Sequence, residues 1–167
     1  KDLATVAKRH GALVLVDEAH GMGLYGEGGR GVTEAQGADH LVDVIVGTFS
    51  KSVGVIGGFC VTSHPALQPL RFLARAYLYT ASLPPAVVAS ARTAIGIIKT
   101  DTALRAELWR KAERFCRSVQ ALGYQLCAEP GPVGSIRMRG KAQGLDMWRS
   151  LLARGIYVNL LIPPATP

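Results

Sequence analysis

The sequence predicts an α/β fold with a mainly parallel sheet, and three features predict it. Ala12-Leu13-Val14-Leu15-Val16 is an unbroken apolar run ending in Asp17, the pattern of a strand covered on both faces. Helical and strand patterns alternate through the first half of the chain. Apolar residues make up 49% of the 167 residues, which supports a substantial core and argues against disorder.

The elements follow in order. Asp2 to His10 reads as a helix, with Leu3, Val6 and Ala7 on one face and Gly11 as its stop. The Ala12–Val16 strand comes next, then a glycine-rich stretch from Gly21 to Gly31. Leu41 to Val46 is a second buried strand, ending at Gly47, and Gly57 to Thr62 is a third. Pro65 to Ala76 is expected to be helical. Pro84-Pro85 opens a long helical region, since proline is tolerated in a first turn. Leu104, Leu108, Ala112, Phe115, Val119 and Leu122 then recur at helical spacing, and Gly123 ends the pattern. Val133 to Arg139 alternates as a half-buried strand. Leu145, Trp148, Leu151 and Leu152 mark another helix, and Ile156-Tyr157-Val158 another strand. The expected organisation is a large domain over 1–123, with a long linking helix near 85–122, and the start of a smaller α/β domain over 124–167. The chain opens at Lys1 inside a helical pattern and closes on Pro163-Pro164-Ala165-Thr166-Pro167, so it reads as an internal piece of a longer protein.

The formal net charge is +7, which suits an anionic partner such as nucleic acid, a membrane surface or a phosphorylated small molecule, or else a solvated basic surface. Cys60, Cys116 and Cys127 lack metal-ligand spacing and an even count, so no metal is expected and a reducing, cytoplasmic setting fits. No apolar run reaches the length of a membrane-spanning helix.

The chemistry concentrates in Val16-Asp17-Glu18-Ala19-His20 and Gly47-Thr48-Phe49-Ser50-Lys51-Ser52. A lysine in a small, hydroxyl-rich turn after a strand can form a Schiff base with a carbonyl. Its free pKa of about 10.4 leaves it cationic at neutral pH, a problem that the Schiff base or a desolvated site removes. Asp17, at the end of another strand, can hold a protonated ring nitrogen and keep that ring an electron sink. His20 can reach the ring's phenolic oxygen or a substrate carboxylate. Thr48 and Ser50 can bind a phosphate. Gly54, Gly57 and Gly58 would clear space beyond the lysine. Together these groups describe a seat for pyridoxal 5'-phosphate.

Rival readings lack partners at the right spacing. Asp-Glu-Ala-His also occurs in nucleic-acid ATPases, but a phosphate loop ending at Lys51 would need glycine at 45 and 50, where Ile45 and Ser50 stand. Gly26-Glu27-Gly28-Gly29-Arg30-Gly31 matches the dinucleotide pattern Gly-x-Gly-x-x-Gly. It does not open directly from a strand, and too short a segment follows it, so a flexible loop near the site is the better reading.

Val16-Asp17-Glu18-Ala19-His20-Gly21, Gly47-Thr48-Phe49-Ser50-Lys51-Ser52 and Thr80-Ala81-Ser82-Leu83-Pro84-Pro85 together resemble the α-oxoamine synthases. These are fold-type I pyridoxal-phosphate enzymes that join an amino acid to an acyl-CoA thioester with loss of carbon dioxide. Phe49-Ser50-Lys51-Ser52, and Tyr157-Val158-Asn159 leading to the closing prolines, resemble the soluble bacterial branch that uses L-serine and a long-chain acyl-CoA; the alternatives within the family are an 8-amino-7-oxononanoate synthase, a 2-amino-3-ketobutyrate CoA ligase, a 5-aminolevulinate synthase or an autoinducer synthase. The resemblance implies an aminotransferase-like large domain. It makes Lys51 the Schiff-base lysine and later the base for the α-proton, pairs Asp17 with the pyridine nitrogen, and sets His20 against the ring oxygen or substrate carboxylate. It gives the phosphate to Thr48 and Ser50, and lets Thr80 and Ala81 reach the neighbouring subunit's cofactor phosphate, so a homodimer is implied. It implies no nucleic-acid partner and leaves open a peripheral membrane contact for the lipid product. A non-catalytic partner subunit of the same fold would usually lack the lysine.

Overall fold

The structure is a computed structural model, which describes residues 1–163. Its helices are α1 (Asp2–Arg9), α2 (Val32–Ala35), α3 (Leu70–Leu73), α4 (Arg75–Leu78), α5 (Pro85–Thr100), α6 (Thr102–Ala121) and α7 (Lys141–Ala153). Its strands are β1 (Leu15–Asp17), β2 (Val44–Thr48) and β3 (Gly58–Thr62). The chain divides into two compact units, Lys1–Leu108 and Trp109–Pro167. That boundary falls inside α6, earlier than the 123/124 division read from the sequence.

In the first unit the sheet order is β1-β2-β3. β1 pairs parallel with β2, placing Asp17 opposite Val46, and β3 returns antiparallel, placing Gly58 opposite Thr48. The sheet is therefore mixed, with α/β character as expected. Asp43 fixes the entry of β2: its carboxylate accepts from Val14 N at 2.7 Å and from Lys8 Nζ at 2.5 Å, which ties α1 to the strands. Leu13 and Leu15 are 64% and 61% exposed, so β1 is not covered on both faces by the described residues. Its apolar composition reports what the strand can bury, and α1 and α2 do not enclose it.

Pro65 to Ala76 is not one helix. It breaks into a 3-10 turn, Pro65–Leu67, then α3 and α4. Pro69 has no N–H to donate into a preceding turn, and Ala74 is extended at ψ 103° between the two short helices. The long helical region is also two helices, separated at Asp101, whose Oδ1 accepts from Ala103 N and Leu104 N as an N-cap.

In the second unit, α6 buries Ala112, Cys116 and Val119, while Phe115 and Leu122 of the predicted stripe are 52% and 75% exposed. Leu104, which the same stripe includes, belongs to the first unit and is 60% exposed. Val133–Arg139 contributes one antiparallel bridge, Ile136 to Leu126, rather than a full strand. Ile156–Val158 is irregular. The Val158 carbonyl accepts from Trp148 Nε1 at 3.0 Å instead of from a neighbouring strand. An apolar cavity of about 400 Å³ lies between this segment, α7 and Ile136. Pro164, Ala165, Thr166 and Pro167 of the closing motif lie outside the described residues.

Candidate active site at the carboxyl edge of the sheet

Because β1 and β2 are parallel, Asp17 and Thr48 end neighbouring strands at the same sheet edge. Ligands of parallel α/β sheets bind at this carboxyl edge. The antiparallel return of β3 then makes the Lys51 turn a closed hairpin connection: Phe49 N donates to Gly57 O and Val55 N to Phe49 O, each at 2.9 Å. Thr48 organises it. Its Oγ1 lies 2.8 Å from Ser50 Oγ, donates to Gly57 O at 3.2 Å and accepts from Ser50 N at 3.2 Å. The two hydroxyls predicted to hold a phosphate are thus side by side. Ser50 and Lys51 are exposed, and Thr48 is half-buried.

Asp17 Oδ1 accepts from Ala19 N at 2.8 Å, which turns the chain immediately after β1 and fixes the carboxylate. Its other oxygen accepts no hydrogen bond from the described residues. His20 follows on that turn, exposed. The turn reaches the lysine's neighbourhood through Gly23, where a Cβ would stand 2.8 Å from Ser52 Cβ. Thr80 and Ala81 lie exposed between α4 and α5. Their stretch approaches the Lys51 turn through Leu83, whose Cδ1 would lie 2.7 Å from a Cβ at Gly57. The structure thus brings Thr48 and Ser50 into contact, sets Asp17 at the same edge, and joins the His20 and Thr80 segments to the lysine turn through Gly23 and Leu83.

The glycines around the lysine serve the protein's own packing. A Cβ at Gly47 would stand 2.6 Å from the Phe59 ring, and one at Gly58 2.6 Å from Gly47 O. Gly54 adopts φ 74°, a turn conformation rare for other residues. The sequence reading, in which Gly57 and Gly58 clear space for a ligand, is replaced by close approach of Leu83 and of the neighbouring strand.

The glycine-rich loop is no dinucleotide cradle, and it is not loose. Glu34 of α2 fills it with the chain's own anion, accepting from Gly28 N at 3.2 Å, Arg30 N at 2.9 Å and Arg30 Nε at 3.0 Å. A Cβ at Gly26 would collide with the same carboxylate. Arg105 closes the other side, donating to Ile98 O at 3.2 Å and to Glu27 O.

Sequence reasoning missed Glu18, which is 2% exposed. Its carboxylate accepts from Val32 N, Thr33 N and Thr33 Oγ1 at 3.0, 2.8 and 2.9 Å. No local signal pairs a residue on one turn with a helix start so much later in the chain.

An amine, a carboxylate with one unpartnered oxygen and a pair of adjacent hydroxyls, gathered at the carboxyl edge of a parallel pair, define the class: the donor set fits an aldehyde cofactor with a ring nitrogen and a phosphate. The chain belongs to the aminotransferase class I and II family, which it matches over residues 1–166. It is 47% identical, over its whole length, to a serine palmitoyltransferase of Sphingomonas paucimobilis. It is 32% identical, over 99% of its length, to an 8-amino-7-oxononanoate synthase of Alkaliphilus oremlandii. A solved serine palmitoyltransferase with pyridoxal phosphate as an internal aldimine superposes with a TM-score of 0.93 at 47% identity, covering 98% of this chain and 42% of that one. The chain spans 40% and 42% of the lengths of the two curated relatives. These similarities bear out the family resemblance read from the motifs.

Proposed function

We propose that this chain supplies a cofactor-binding portion of a pyridoxal-phosphate-dependent acyltransferase. The reaction condenses L-serine with a long-chain acyl-CoA, palmitoyl-CoA in the simplest case, releasing CoA and carbon dioxide and giving 3-oxosphinganine, the first step of sphingolipid synthesis. The observation that carries the reading is the placement of Asp17 and the Thr48–Lys51 turn at one sheet edge, in a chain 47% identical to a serine palmitoyltransferase.

When bound, the cofactor supplies an electron sink for the pair left on the amino acid's α-carbon. Asp17 holds the ring nitrogen in its charged form with the oxygen left over from the Ala19 contact. Thr48 and Ser50 donate their hydroxyls to the phosphate, a role their 2.8 Å contact pre-organises. Lys51 would hold the cofactor through its Nζ, and as a free amine Nζ would take the α-proton of the substrate. His20, from the turn after Asp17, orients the ring oxygen or the substrate carboxylate. Thr80 and Ala81 serve the cofactor phosphate of a second subunit in a homodimer. Supporting this, Phe72, Leu73, Tyr77 and Tyr79, just before Thr80, are 65–79% exposed, a patch that suits a subunit contact. A cytoplasmic setting is supported by three cysteines that are all unpaired.

The test is direct. The intact protein is mixed with pyridoxal phosphate, reduced with borohydride and mapped. A pyridoxyl group is expected on Lys51, and CoA release is expected to require both L-serine and palmitoyl-CoA. Labelling that persists elsewhere in Lys51→Ala refutes the site. Turnover with another amino acid but not with serine refutes the substrate and favours the oxononanoate-synthase type of relative.

A further inference from the structure

Glu18 is a buried carboxylate that the proposed chemistry does not use. Both of its oxygens are taken, Oε2 by Val32 N at 3.0 Å and Oε1 by Thr33 N and Thr33 Oγ1 at 2.8 and 2.9 Å. An anion this deeply buried is tolerated only with such a full donor set. The surroundings are moulded to it. Cβ atoms at Gly21 or Gly31 would collide with the carboxylate, so both ends of the glycine-rich stretch lack side chains where Glu18 lies. Its own backbone is equally fixed. Glu18 N donates to Val46 O at 2.8 Å, carrying the β1–β2 pairing one residue past Asp17, and Glu18 O accepts from Gly21 N and Met22 N, each at 2.9 Å. Asp17 precedes this anchor directly, and His20 lies within the turn that its carbonyl closes.

We propose that Glu18 is a positioning residue: by clamping the start of α2 from inside the Asp17–His20 turn, it sets the aim of Asp17 and His20 at the cofactor. The inference rests on the function proposed above. A neutral amide would not serve. Glutamine can keep one acceptor for Thr33 but must turn an NH2 group toward Val32 N–H or the Thr33 donors, opposing donor to donor. The turn then shifts, and Asp17 meets the ring nitrogen less well. Because that contact sets how readily the ring holds its charge, the shift is readable in the bound cofactor itself.

The experiment compares wild type, Glu18→Gln and Thr33→Val in the intact protein. Thr33→Val keeps the side-chain shape and removes only the hydroxyl contact. Four readouts are taken: borohydride fixation of pyridoxal phosphate on Lys51, the pH midpoint of the bound cofactor's visible absorption, kcat and KM, and the unfolding midpoint of the cofactor-free protein. Both variants are expected to retain Lys51 fixation, move the pH midpoint, and lose kcat with little change in KM for the acyl-CoA. The expected loss for Glu18→Gln is about ten- to hundredfold, the scale of a small misplacement at a reacting centre, and it is smaller for Thr33→Val. A lowered unfolding midpoint with unchanged pH midpoint and unchanged kcat per loaded site overturns the proposal, because Glu18 would then be structural only. If Glu18→Gln does not fold, Thr33→Val alone decides between those two results. Absence of fixation on Lys51 in the wild type overturns the functional reading itself, and the inference with it.

Discussion

Gly47→Ala tests whether the sheet under the lysine turn is as tightly built as its distances state. Gly47 has no positive φ, so alanine fits the backbone there. The obstacle is the side chain. Its methyl would stand 2.6 Å from Cε1 and Cζ of Phe59, where carbon contacts settle near 3.5–4.0 Å. The Phe59 ring must retreat by about 1 Å. It is held on the cross-strand side by Phe49, with ring centroids 5.7 Å apart and planes tilted by 30°. Overpacking of this kind costs about 1–3 kcal/mol. Replacing a strand glycine returns roughly 0.5–1 kcal/mol of backbone entropy, so the middle of the two ranges leaves a net loss of about 1 kcal/mol. Denaturant unfolding of the intact protein would compare Gly47→Ala, Phe59→Leu and the double variant. The smaller leucine makes room for the methyl, so the double variant should be more stable than the sum of the single losses predicts. Effects that add within about 0.5 kcal/mol, or a Gly47→Ala as stable as its parent, would refute the reasoning.

Two further outcomes follow from the site. Thr48→Val keeps the shape but deletes the hydroxyl that meets Ser50 Oγ, Ser50 N and Gly57 O. Hydrogen bonds at about 0.5–1.5 kcal/mol each predict a looser turn and faster loss of pyridoxal phosphate on dialysis; an unchanged loss rate would count against a phosphate role. Glu34 gives a pH dependence. Partial burial raises its pKa, but hydrogen bonds from Arg30 N, Arg30 Nε and Gly28 N outweigh this and hold the carboxyl below its usual 4.5. Its folded value is lower than its unfolded one, so the clamp is fully present above the ordinary carboxylate range and is lost as pH falls through the depressed value. Hydrogen exchange at Gly28 and Arg30, corrected for intrinsic rate, should therefore accelerate on acidification and already be fast at neutral pH in Glu34→Ala, which leaves neither amide an acceptor. Protection that is indifferent to both would exclude the clamp.

What the sequence made legible was local. The Asp17–His20 turn and the Thr48–Lys51 turn each follow a short apolar run, and their chemistry lies in adjacent residues, so both were found where they stand. α1 and its Gly11 stop, at φ 66°, were readable for the same reason. Contacts across the chain were not. Glu18 and Glu34 look like ordinary solvent carboxylates until the glycine loop folds back on them. That loop read as flexible because glycine content reports permitted conformations, not the partners that select one. The helix over 65–76 failed at Pro69 and Ala74, where apolar content outweighed a missing N–H. The strand at Ile156–Val158 failed because β propensity supplies no neighbour to pair with.

The antiparallel return of β3 has a kinetic consequence. The turn bearing Lys51 joins two strands adjacent in sequence, so closing it loses little chain entropy and it can form as a local hairpin. Asp17 reaches the same edge only after the long crossover through the glycine loop and α2 has been laid down and clamped. Loop-closure entropy therefore predicts that the amine and its hydroxyls form in an early, short-range folding unit and the carboxylate joins in a late, long-range one. Substitutions in the hairpin should slow folding, whereas those at Glu18 or Glu34 should chiefly hasten unfolding.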